Sequence, residues 1–204
     1  KGSKDKEMIR FGTNEAHLRT MVLKNGKQYQ IDMHLKHNRS KGIAVNKIPM
    51  KKASELFGIL NIVFFSPEDL NIIKNGPSER RHFLDAELCQ LDKIYLSDLS
   101  NYNKILAQRN KLLKDMVYRP ELSDTLPVWD MQLADTGKKI IRRREQFVKE
   151  LNEIVHEIHY RISGGREELF LSYEPSVSAD LLEQELERVK PRDLKQCQTS
   201  VGPH

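Results

Sequence analysis

Residues 138–144, Lys-Lys-Ile-Ile-Arg-Arg-Arg, place five cations within two helical turns, with no acid before Glu145. Lys138, Lys139, Arg142, Arg143 and Arg144 together suit the phosphate backbone of a duplex, where each charge contact adds affinity without sequence preference. Acids at Glu145, Glu150, Glu153 and Glu157 offset the cluster locally, so a protein-binding surface and plain solvation stay open as readings. A second group is Ser66-Pro67-Glu68-Asp69, which reads as a helix start: a capping serine, proline in the first turn, then acids favoured by the helix dipole. The third is Glu79, Arg80, Arg81 and Asp85, in which Arg81 and Asp85 stand four apart and suit an exposed ion pair contributing at most about 0.5 kcal/mol. His156-Glu157-Ile158-His159 is a false zinc-protease signal. That chemistry needs histidines four apart on one helix face, and here the separation is three.

The elements that must carry these residues fall into three regions. Ala16–Leu23 alternates imperfectly, Asn25-Gly26 suits a tight type I′ turn, and Tyr29, Ile31, Met33 and Leu35 alternate after it, which predicts a hairpin. A third strand is expected over 43–45, a short helix over 53–57, and a doubly buried strand at Ile62-Val63-Phe64-Phe65. From Ser78 the period becomes helical: Leu84, Leu88, Leu91, Tyr95, Leu99, Tyr102, Leu106 and Leu113 recur at spacings of three and four, with Arg109 or Asn110 in the one missing step. After Pro120 and Pro127 a second stripe runs through Trp129, Leu133, Ile140, Phe147, Leu151, Ile154, Ile158 and Ile162 to Gly164-Gly165.

Helices of this length would span roughly 60 Å and roughly 54 Å. The economical arrangement is an antiparallel hairpin projecting from an α/β body. If paired residue numbers sum to roughly 245 about the turn, the basic band faces residues near 101–107 and Lys104 extends it. A strand near 169–173 and a short helix through Leu181, Leu182, Leu186 and Val189, stopped before Pro191, complete the expected elements.

The chain has 38% hydrophobic and 31% charged residues and a formal charge of +5. These values suit a cytoplasmic protein with one or two modest cores, and there is no apolar run of the ~18 residues a membrane span requires. The basic excess lies in residues 1–77, with 14 Lys and Arg against 7 Asp and Glu. Cys89 and Cys197 read as reduced thiols. Gly2-Ser3 is either native or a cloning scar. No Gly-rich loop ending in Gly-Lys-Ser/Thr is present, so the wrapping of phosphate by a P-loop is not encoded in these residues.

Phe64-Phe65-Ser66-Pro67-Glu68-Asp69-Leu70, Gly76-Pro77-Ser78-Glu79-Arg80-Arg81-His82-Phe83-Leu84-Asp85, Gln108-Arg109-Asn110, Leu112-Leu113-Lys114 and Thr199-Ser200-Val201-Gly202-Pro203-His204 closely resemble the RecF family of DNA repair ATPases. The resemblance covers most of the chain. It implies an α/β fold: part of an ABC-type, SMC-like ATPase head with a β-hairpin-rich lobe (1–77), a long antiparallel helical arm (78–163), and a return strand and short helix leading back to the head (164–204). It also implies that the P-loop lies upstream and the signature and magnesium-binding aspartates downstream, so that the chain alone should need no cofactor and not hydrolyse ATP.

For the intact family the resemblance implies ATP with magnesium, ATP-dependent homodimerisation, and binding to double-stranded and gapped DNA. It further implies cooperation with RecR and RecO in loading RecA, without a membrane. Ser66, Pro67, Glu68 and Asp69 would form the nucleotide-proximal loop, although the glutamine that related heads carry there is absent. Arg81 would sit at the root of the arm, where nucleotide state could be coupled to arm angle. An SMC-like or RecN-like structural arm, and a protein-interaction module for a recombination mediator, are the alternatives.

Overall fold

The computed structural model describes residues 4–204, so Gly2-Ser3 lies outside the described residues. It divides into two compact units, the first ending at Gly76 and the second running from Pro77 to His204.

The first unit is built on an antiparallel meander in the order β1-β2-β3-β4. Its strands are β1 (Glu15–Lys24), β2 (Lys27–Lys36), β3 (Gly42–Val45) and β4 (Ile48–Pro49). Asn25 and Gly26 turn β1 into β2 with φ of +49° and +74°, the left-handed pair that a type I′ turn requires. Ile31 and Leu35 of β2 and Ile43 and Val45 of β3 are buried on one face, and Ile9 is buried as well. Ile62-Val63-Phe64-Phe65 departs from expectation. It forms no strand, and Val63 and Phe65 are 94% and 76% exposed. An apolar run is buried on both faces only when strands flank it and helices cover it, and none of the described residues pairs with it as a strand. A 3-10 turn, Pro67–Leu70, then leads into the short helix α1 (Asn71–Lys74).

The second unit is helical: α2 (Pro77–Leu91), α3 (Lys93–Asp115), α4 (Leu126–Ile162) and α5 (Leu182–Gln196). α3 and α4 form the antiparallel hairpin, joined through a 3-10 turn at Pro120–Thr125. The single helix expected from Ser78 onward is broken at Asp92, whose backbone leaves the helical region (φ −134°, ψ 105°). Its carboxylate accepts hydrogen bonds from the amides of Ile94 at 2.9 Å and Tyr95 at 3.1 Å. An internal N-cap therefore starts α3 afresh. Asp92→Ala is expected to destabilise the unit by about 1 kcal/mol, read as a lowered urea midpoint at unchanged slope.

The stripe on α2 and α3 buries Leu88, Tyr95, Tyr102 and Leu113, and the missing step is filled by Arg109, which has no solvent exposure. On α4, Leu133, Ile140 and Phe147 are buried, but the stripe emerges into solvent at Ile154, Ile158 and Ile162. Gly137 lets its neighbours approach closely, since a Cβ there would stand 2.7 Å from a Leu182 methyl and 3.3 Å from the Tyr102 ring. Two further expectations fail. Residues 169–173 form no strand; instead the Asn152 amide donates to the Leu171 carbonyl and accepts from its N–H, both at 2.6 Å, a one-residue imitation of strand pairing. α5 also passes through Pro191, because Val189 and Asp193 on either side of it are buried and hold the helix to its neighbours. It ends at Cys197, in the left-handed region at φ +52°.

Candidate functional site

Two arginines on opposite helices hold the last residues of the chain. From α3, Arg109 donates to Asp130 of α4 at 2.6 Å, Asp193 of α5 at 2.8 Å and the Thr199 hydroxyl at 2.8 Å. Asp193 is itself fully buried, and its second oxygen accepts from the amide and hydroxyl of Ser200. Asn110, next in sequence to Arg109, accepts from the Thr199 amide at 2.8 Å. From α4, Arg144 donates to both oxygens of Asp85 at 2.8 and 3.0 Å, to the Tyr95 hydroxyl at 3.0 Å and to the Pro203 carbonyl at 2.6 Å. The Arg144 set tolerates burial because its hydrogen-bonding capacity is largely used, whereas Arg109 Nη2 and Asp130 Oδ2 are buried without a hydrogen-bond partner among the described residues.

Between these anchors, Gly202 at φ +148° lets the Tyr102 hydroxyl approach where a Cβ would stand 2.3 Å from it. His204 bonds through Nδ1 to that hydroxyl at 2.7 Å and through Nε2 to the Thr199 carbonyl at 3.4 Å. A carbonyl only accepts, so Nε2 carries the proton and Tyr102 donates to Nδ1. Burial holds the His204 pKa below its ordinary value and pushes the Tyr102 phenol up. The nearby Cys89 thiol is pushed up to about 11, first by burial and then by Asp85. It is a packing group, not a nucleophile.

A pocket of about 210 Å³ opens beside this network, lined by Ser78, Arg81, His82 and Asp85 of α2, Tyr102 and Asn103 of α3, Arg144, Pro203 and His204. The expected pairing of Arg81 with Asp85 is absent, because Asp85 is taken by Arg144 and Tyr95.

The basic run is distributed around α4. Arg144 faces inward and is 2% exposed, which removes it from the surface cations expected to meet DNA. Lys138 pairs with Glu183 and Arg142 with Asp180, toward the α5 side; Arg143 reaches Asp92 at 3.1 Å and Lys139 stands 4.0 Å from Asp98 on α3. These partners show the hairpin register to be several residues shorter than expected, and the band faces residues 92–98, not 101–107. Lys104 is exposed.

In the first unit, Asp69 accepts from the Ser66 amide at 2.7 Å and hydroxyl at 3.2 Å, completing a capping box over Pro67–Leu70. Glu68 is exposed and its pKa is lowered by the Ser66 hydrogen bond. His156 stacks on Phe170 at 5.1 Å, and no group of three metal-ligating side chains occurs among the described residues. None of the helices in the described residues is long and apolar enough to cross a membrane.

Sequence reasoning missed Asp130 and Asp193 as partners of Arg109. The available signal was the arginine itself, sitting where the apolar stripe required a buried side chain.

No family model matches the chain. It is 69% identical over 204 residues to the DNA replication and repair protein RecF of Agathobacter rectalis and 57% identical over 206 residues to that of Lachnospira eligens. All of this chain is covered in both, against 56% and 57% of the relatives, so it spans a little over half of their length. Two solved structures of the recombination mediator protein RecF in the RecFOR pathway, RecF-ATPrS and RecF-ATP, superimpose on the whole chain with TM-scores of 0.87 and 0.85 at 34% identity, over 57% of their own length. A meander lobe followed by an antiparallel helical arm is thus part of an ABC-type, SMC-like ATPase head. Within that class, the chain matches RecF proteins along its whole length.

Proposed function

We propose that this chain supplies the arm and part of the head of an ATP-dependent DNA-binding protein of recombinational repair, acting in the cytoplasm at gapped duplex with RecR and RecO to promote RecA loading. The observation that supports it is the 69% identity to a RecF across every residue of the chain. In the intact protein, ATP and magnesium would drive dimerisation, with Ser66–Asp69 near the nucleotide. The capping box occupies Ser66 and Asp69, leaving Glu68 as the acidic side chain of that loop that is exposed, next to the exposed Pro67.

On this reading, duplex phosphate is met by Lys139 and Arg142, supported by Lys138 and Arg143, and separately by Lys104, which lies further along α3 than the residues the band faces. Lys139 and Arg142 have side chains 63% and 64% exposed. Their acidic partners do not forbid this, since exposed ion pairs are weak enough to exchange for phosphate. The test is to titrate this chain and the full-length protein against gapped duplex and RecR, with and without ATP. Lys104→Glu, Lys139→Glu and Arg142→Glu together are expected to weaken duplex binding at least about tenfold at low salt and to reduce the salt slope by roughly 3. Unchanged affinity in the folded triple variant would refute the assignment.

A further inference from the structure

We propose that the pocket at the start of α2 is a binding site for a tetrahedral oxyanion of the phosphate class. Ser78, Arg81, His82 and Asp85 share one face of α2 because they lie three and four residues apart, and that face looks onto Tyr102 and Asn103 of α3. The lining therefore converges from separate elements and carries two guanidiniums, two hydroxyls, an amide, two imidazoles and one carboxylate.

Charge selects the ligand. Asp85 is the carboxylate in the lining, and it is spent: Arg144 binds both its oxygens and Tyr95 donates to it. Arg144 is spent in turn on Asp85, Tyr95 and the Pro203 carbonyl. Arg81 is left as the cation in the lining with no carboxylate within ion-pairing distance among the described residues, and it is only partly exposed. A half-buried guanidinium presents a planar fork of donors matched to two oxygens of one oxyanion. Ser78 and Asn103 supply neutral donors beside it.

Size narrows the choice. At about 210 Å³ the pocket falls below the ~300 Å³ at which drug-sized ligands are accommodated, so it encloses a phosphate group, and the remainder of any larger ligand lies outside it. The group is either free phosphate or the end of a polyphosphate chain. Its recognition needs nothing from the DNA-binding reading above.

The experiment uses the full-length protein, titrated with inorganic phosphate and separately with tripolyphosphate, each against chloride at matched ionic strength. Heat of binding and thermal midpoint are followed. Wild type is expected to saturate with a rise in Tm of several degrees, since a ligand that binds only the folded state stabilises it. Arg81→Gln should raise the half-saturating concentration at least about tenfold, and Ser78→Ala a few-fold, with Tm in chloride showing that both variants fold. A lower half-saturation for tripolyphosphate identifies a chain end as the natural ligand; equal values identify free phosphate. No effect of either anion beyond chloride, or saturation unchanged by Arg81→Gln, overturns the site.

Discussion

Arg109→Met is expected to destabilise the helical unit by about 3–5 kcal/mol, because it removes a buried cation and leaves its acids behind. Asp193 has no solvent exposure and Asp130 very little, so neither recovers hydration when the guanidinium is gone. The loss should therefore exceed that of a packing defect alone. Adding Asp130→Asn and Asp193→Asn is expected to restore a good part of it, since a carboxamide at position 193 would keep an oxygen for the amide and hydroxyl of Ser200. Denaturant unfolding of the single and triple variants checks this. A single-variant loss below about 1 kcal/mol would show that the buried pair is not needed.

Arg144→Met should cost a similar amount, about 3–5 kcal/mol, but its effect is distributed differently. Asp85, the Tyr95 hydroxyl and the Pro203 carbonyl all lose a donor. These groups lie on α2, α3 and the terminal segment, so amide exchange is expected to accelerate in α2 and around residues 199–204 before it does so at the far end of the hairpin. Arg144→Lys should recover little, since an ammonium cannot span both carboxylate oxygens and the carbonyl. Uniform acceleration along the whole of α3 and α4 would count against this account.

What is legible in the sequence is local. Asn25-Gly26 announces its turn because only the two residues concerned decide it, and the stripe through Tyr95, Tyr102 and Leu113 announces a buried face even where an arginine interrupts it. The break at Asp92 is encoded by a good capping residue, but the apolar period runs through it undisturbed and hides it. Ile62–Phe65 cannot be read locally, since a strand exists only with a partner that the run itself does not specify. The basic cluster misleads for a geometric reason: at 3.6 residues per turn, cations at 138, 139, 142, 143 and 144 point in several directions. Density along the chain is not density on a face. Which carboxylate answers each cation depends on contacts dozens of residues distant, such as Arg142 with Asp180 and Arg109 with Asp193.

The segment 199–204 is fastened near one end to α3 through Thr199 and near the other to α4 through Pro203. A strap tied across two parallel beams prevents one from sliding along the other. The hairpin and its strap must consequently tilt as a single lever, and any bending of that lever falls to unstrapped joints such as Gly164-Gly165, where the backbone already adopts positive φ.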